Sequence, residues 1–190
     1  MNKLPSYFFP KPYADFVQKL RVAGGFVLLV AFAVFARPSA HSLTIGLPVS
    51  VLGLLLRAWA AGHLAKDRDL AVSGPYAYVR NPLYAGTLLT AFGLLLAARN
   101  IWLAFLFGFV FLLVYLPAIE LEEQHLREIF AQYDAYAARV RRFLPGRPFA
   151  SEGNQFSRAL YRKNEEYKAA LGWLIAALWL IWRCGRAALL

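Results

Sequence analysis

Three groups of residues in this chain carry chemistry that an apolar segment does not need. The first is the stretch Gly74-Pro75-Tyr76-Ala77-Tyr78-Val79-Arg80-Asn81-Pro82-Leu83-Tyr84-Ala85-Gly86, a polar, aromatic and proline-punctuated segment between two long apolar runs. The second is the loop from His63 to Asp69, and the third is the acidic pair Glu122-Glu123. Tyrosine rings pack on flat bases or face a cation. Asn81-Pro82 reads as a helix start, with Asn as cap and Pro in the first turn, where the leading N–H groups have no intrahelical acceptor. A carboxylate such as that of Glu122 holds an ammonium group through a charge-assisted bond. Each element also has a purely structural reading: Gly74-Pro75 as a turn, the tyrosines as interface anchors, the acidic pair as a solvated helix face.

The elements that must position these groups are apolar helices. Of 190 residues, 59% are hydrophobic and 16% aromatic, and the apolar residues fall in blocks. A helix of roughly 20 residues crosses a hydrocarbon core. The expected fold is all-α: a single polytopic helical membrane domain over residues 1–190 with about five transmembrane helices. Span one is placed at Val22 to Ala36, span two at Ser42 to Leu64, span three at Leu83 to Ala98 and span four at Ile101 to Ile119. A thinly qualified fifth covers Ala169 to Trp182, with Trp173, Trp179 and Trp182 as interfacial anchors. Arg99-Asn100 reads as a tight turn that makes spans three and four a hairpin, and Pro117 predicts a kink near the end of span four. Arg57 lies inside span two and must face protein or water, or snorkel.

Beyond span four, Leu126, Phe130, Tyr133, Tyr136 and Val140 recur at helical spacing, which predicts a cytoplasmic amphipathic helix continuing from that span and ended by Pro145-Gly146-Arg147-Pro148. Ala150 to Lys168 reads as a polar loop with a short helix. No cleavable leader is expected in Met1 to Lys19. Basic residues gather before span one, between spans two and three, and after span four, against Arg37, Arg99, Arg183 and Arg186 on the other side. The N-terminus and all three polar groups are therefore expected to be cytoplasmic. On this topology the hairpin brings Tyr84 and Glu122 to one membrane level.

The net charge of +10 fits loops that meet anionic headgroups, and no nucleic-acid recognition motif accompanies it. Cys184 is the single cysteine, so no intramolecular disulfide forms. His41, His63 and His125 are dispersed, which argues against a metal site. Taken together, the three groups suit a ligand with a flat aromatic base, a polar sugar and a charged end. S-adenosylmethionine has all three.

At these residues the chain resembles the isoprenylcysteine carboxyl methyltransferase family and the related phospholipid N-methyltransferases. The shared motifs are Gly74-Pro75-Tyr76, Arg80-Asn81-Pro82-Leu83-Tyr84-Ala85-Gly86, Glu122-Glu123-Gln124-His125-Leu126, Tyr133-Asp134-Ala135-Tyr136 and Val140-Arg141-Arg142-Phe143-Leu144-Pro145, within a core of residues 63–145. The resemblance implies a membrane methyltransferase of a prokaryotic inner (plasma) membrane, using S-adenosylmethionine from the cytoplasmic side on a lipophilic substrate. Its cofactor contacts map to His63, the stretch Arg68 to Ala71 with Leu70 and Ala71, then Tyr76, Asn81, Pro82, Leu83, Tyr84 and Glu122. Asn81 stands where the family has histidine. Ala118 stands where some members place an arginine for the substrate carboxylate, a role for which Arg57 and Arg139 are the available replacements. The catalytic residue stays open between Asn81 and Arg139, and the acceptor between a carboxylate, an amine and a thiol. For the last two, His63 or His125 is the nearby group able to take a proton. An NADPH-dependent sterol-type membrane reductase and a non-enzymatic scaffold or transporter are the competing classes. The acidic pair disfavours the reductase, because carboxylates repel phosphates.

Overall fold

The computed structural model describes residues 8–149 and 155–187, so the first residues of the leader reading and the start of the Ala150 to Lys168 loop lie outside the described residues. The described residues form helices α1 (Lys11–Phe35), α2 (Ala40–Ala61), α3 (Pro82–Ala98), α4 (Ile101–Ile129), α5 (Tyr133–Arg139), α6 (Arg158–Lys163) and α7 (Tyr167–Ala187). The expected all-α class holds. Among the described residues, α2, α4 and α7 are long and apolar enough to cross a membrane. The bent helix α1, with 46° between Pro12–Leu20 and Val22–Phe35, is a fourth when taken as one span. The expected third span is α3, an apolar helix shorter than the other spans at 17 residues.

The chain divides into two compact units, one of residues 1–36 and 100–131, the other of residues 37–99 and 132–190. In the first unit α1 packs on α4. The kink expected at Pro117 takes another form: residues Phe111–Tyr115 make a π-turn, with the Leu116 N–H donating to Phe111 O. A proline leaves the carbonyl four residues earlier without its helical donor. That carbonyl is Leu113 O, and the Tyr13 hydroxyl donates to it at 2.8 Å. Near the far end of α4 the buried Glu120 carboxylate accepts the Phe8 and Phe9 N–H groups at 2.6 and 3.0 Å. The predicted turn is present: Arg99 adopts φ 52° after α3, and Asn100 Oδ1 caps α4 by accepting the Trp102 N–H at 3.0 Å. The division between the units falls at this turn.

In the second unit α2 and α3 meet along glycines. Gly46 and Gly53 on α2, and Gly86 and Gly93 on α3, recur two turns apart in each helix. A Cβ on Gly53 would sit 2.6 Å from Gly86 O, and one on Gly93 would sit 2.6 Å from Gly46 O. Small residues let helix backbones approach this closely where lipid offers no hydrophobic drive for association. The Ser42 hydroxyl adds a bond to Ala97 O at 2.9 Å. Helix α7 joins α2 through Trp173, whose Nε1 donates to Ser50 Oγ at 2.7 Å. Trp173 therefore faces protein, which corrects its reading as an interfacial anchor.

The amphipathic helix read beyond span four is two pieces. Helix α4 runs on to Ile129, Phe130 turns to an extended conformation (φ −124°, ψ 106°), and α5 starts at Tyr133. The apolar spacing is real, but its residues serve different neighbours: Tyr133, Tyr136 and Val140 are fully buried in the second unit, while Phe130 is half-buried in the first.

Candidate functional site

The polar loop after α2 is folded back onto the end of that helix. His63 is buried, with its N–H donating to Ala60 O at 3.0 Å and its ring Nδ1 lying 3.0 Å from Ser73 Oγ. Ser73 stands at the start of a single 3₁₀ turn, Gly74–Ala77, yet makes no cap bond to it; its hydroxyl is with His63 instead. Gly74 has φ +57°, and a Cβ there would lie 2.6 Å from His63 Cδ2 and Nε2. Trp59 and Phe156 approach the imidazole edge-on, at ring distances of 6.4 and 6.3 Å.

From Tyr76 onward the motif is clamped by the chain that follows α5. Val79 and Arg141 form a parallel bridge. The Arg80 N–H donates to Arg141 O at 2.9 Å, and the Asn81 N–H to Arg142 O at 3.2 Å. In return, Gly146 and Phe149 donate their N–H groups to Tyr78 O and Ala77 O at 3.1 and 2.8 Å. The Tyr136 hydroxyl, inside the unit, donates to Tyr76 O at 2.7 Å. These bonds set Asn81 at the start of α3. Tyr136→Phe leaves the buried Tyr76 carbonyl short of a donor, which costs about 1–3 kcal/mol. At roughly 2–4 °C per kcal/mol for a chain of this size, a thermal melt should read a Tm several degrees lower.

The proposed cofactor residues sort by burial. Tyr76, Asn81 and Pro82 are buried, Leu70, Ala71, Leu83 and Tyr84 are half-buried, and Arg68 and Asp69 are exposed. Asn81 stands at the N-cap position of α3, and its side chain makes no cap bond there. Glu122 is exposed on α4 and belongs to the first unit, whereas all the other proposed residues belong to the second. Its neighbour Glu123 is fully buried. Arg139, exposed on α5, sets its guanidinium 5.7 Å from the centre of the Phe149 ring.

Arg57 is engaged within the protein. Its Nε and Nη2 donate to the two oxygens of Glu166, the second at 3.0 Å, and its Nη1 donates to Thr87 Oγ1. The chain before α7 also closes the end of α2. Ser157 donates its N–H to Gly62 O at 2.9 Å, and the Asn164 amide donates to both Ala61 O and Leu64 O at 2.9 Å. The sequence assigns no part to Ser73, Asn164 or Glu166, and it marks Tyr136 only as a helix position and a motif residue, not as the donor to Tyr76 O. Only Glu166 had a usable signal, since an arginine inside a span calls for a carboxylate. Among the described residues, no three His, Cys, Asp or Glu side chains gather as metal ligands.

A helical membrane protein whose polar loop is pinned between the end of one span and the start of the next is the class these observations define. Residues 51–133 match the phospholipid methyltransferase family, which bears out the resemblance and supports a membrane methyltransferase. The chain is similar to the nickel-cobalt-cadmium resistance protein NccN of Alcaligenes xylosoxydans xylosoxydans, 28% identical over 154 residues, covering 74% of this chain and 72% of that protein. It is also similar to the cobalt-zinc-cadmium resistance protein CzcN of Cupriavidus metallidurans (strain ATCC 43123 / DSM 2839 / NBRC 102507 / CH34), 31% identical over 105 residues, covering 54% of this chain and 49% of that protein. The chain thus spans about half the length of this second relative. No solved structure gives a significant match.

Proposed function

We propose that this chain is an integral membrane enzyme that transfers a methyl group from S-adenosylmethionine to a lipophilic acceptor, with its site at the cytoplasmic face of a prokaryotic inner membrane. The observation that carries the reading is the pinned start of α3: Asn81 and Pro82 are buried there, held by the chain that follows α5, and the whole motif lies inside the matched family segment. Within the second unit the Tyr76 and Tyr84 rings suit the base or the sulfonium of the proposed cofactor. Glu122 is carried over from the family resemblance as the group for its ammonium.

When bound, the cofactor supplies a methyl group already activated by its sulfonium. The protein's own work is then alignment of donor and acceptor and exclusion of water. Asn81, in the histidine position, can donate and accept hydrogen bonds but cannot carry a proton away. His63, whose ring Nδ1 lies 3.0 Å from Ser73 Oγ, or His125 is the proposed group to take the proton that an amine or thiol acceptor must lose. A carboxylate acceptor needs no base but does need a cation. Ala118 offers none, and Arg57 is engaged by Glu166 and Thr87. These two facts favour a lipid amine over an isoprenylcysteine carboxylate, with Arg139 the remaining arginine for the latter.

The assignment predicts that Glu122→Gln and Tyr84→Ala each raise the Kd for S-adenosylmethionine at least tenfold in calorimetry, with Tm within a few degrees of wild type. Wild-type affinity in both variants overturns it.

A further inference from the structure

A charged network crosses the second unit and ends at the turn that the proposed cofactor would touch. Glu166, at the start of α7, is 8% exposed and holds Arg57 of α2 through both carboxylate oxygens. Arg57 Nη1 donates to Thr87 Oγ1 on α3, and the Thr87 hydroxyl donates to Leu83 O at 2.9 Å. The stem of Arg57 lies over Gly86, where a Cβ would come within 2.6 Å of Arg57 Cγ. Three helices are thus tied to one carbonyl in the first turn of α3. Glu166 lies outside the family segment of residues 51–133, so this end of the chain adds a support which that segment does not contain.

We propose that Arg57, Thr87 and Glu166 are positioning residues that fix the first turn of α3 for cofactor binding. The inference rests on the function proposed above. Holding the Leu83 carbonyl fixes the turn that carries Tyr84, because the turn moves as one hydrogen-bonded piece. A misplacement of about 1 Å in a positioning element can cost on the order of a hundredfold in rate.

The test separates positioning from mere stability. Removing one member of a buried ion pair is strongly destabilising, whereas replacing both with apolar residues of similar volume is often neutral. The double variant Arg57→Met/Glu166→Met of the full chain should therefore keep a Tm near wild type. It should show faster hydrogen–deuterium exchange over residues 85–90 and a Kd for S-adenosylmethionine at least tenfold higher. Thr87→Val should raise the Kd likewise, and Thr87→Ser, which keeps the hydroxyl, should restore it. Wild-type exchange and wild-type affinity in the double variant overturn the proposal, as does an equal loss of affinity in Thr87→Val and Thr87→Ser. If the wild-type chain itself binds no S-adenosylmethionine, the proposed function falls and the inference with it. Faster exchange in the double variant would then record a structural brace only.

Discussion

Gly53→Leu is expected to prevent α2 and α3 from packing, so that the purified chain aggregates or melts without a cooperative transition. The reason is geometric. At Gly53 even a Cβ would sit 2.6 Å from Gly86 O, and the obstacle is backbone, which cannot turn aside as a flexible side chain can. The same seam repeats two turns away, where a Cβ on Gly46 would lie 2.5 Å from Gly93 O. Separating the helices to admit a leucine would also break the Ser42 to Ala97 bond and pull Arg57 away from Thr87. Overpacking in a tight core typically costs about 1–3 kcal/mol, and here the strain falls on a whole helix pair that carries the site. A thermal melt followed by size-exclusion chromatography in detergent reads the effect. A monodisperse Gly53→Leu protein with a wild-type Tm would contradict this account of the fold.

Gly74→Val should act in the opposite way, sparing the helices and removing the site. Gly74 has φ +57°, a left-handed conformation that costs an L side chain roughly 1–2 kcal/mol, and more for a β-branched one. The added Cβ would meet the His63 imidazole at 2.6 Å. His63 is buried and cannot swing away without losing Ser73. Both the His63 latch and the 3₁₀ turn leading to Tyr76 and Asn81 would shift. Helicity by circular dichroism should stay near wild type, with binding of S-adenosylmethionine lost. Retained binding would mean that the loop plays no part in the pocket.

Much of this architecture is legible in the residues. The five apolar runs became α1, α2, α3, α4 and α7 because each is apolar and bounded by capping or breaking residues such as Ser39, Asn81-Pro82 and Arg99-Asn100. The site's near elements were legible for the same reason: Gly74, Asn81 and Pro82 have narrow conformational uses. The rest was not, because it depends on tertiary partners. The helical spacing of Leu126, Phe130, Tyr133 and Tyr136 continues across the break between α4 and α5, since periodicity registers burial and not which neighbour does the burying. Trp173 resembles any other interfacial tryptophan until Ser50 accepts its N–H. Ser73 gave no signal at all, because a serine before Gly-Pro is an ordinary turn residue until a histidine ten positions earlier returns to it.

The central claim is methyl transfer from S-adenosylmethionine to a lipophilic acceptor, and its most direct measurement is movement of label. The purified chain, reconstituted in bilayers containing phospholipid amines and prenylated thiols, is supplied with S-adenosylmethionine labelled in the methyl group. The account predicts that label accumulates in a lipid-soluble product, on the amine headgroup in preference to the carboxylate of the prenylated compound, and that Gly74→Val abolishes it. No transfer to any lipid from a chain that binds NADPH but not S-adenosylmethionine would contradict it.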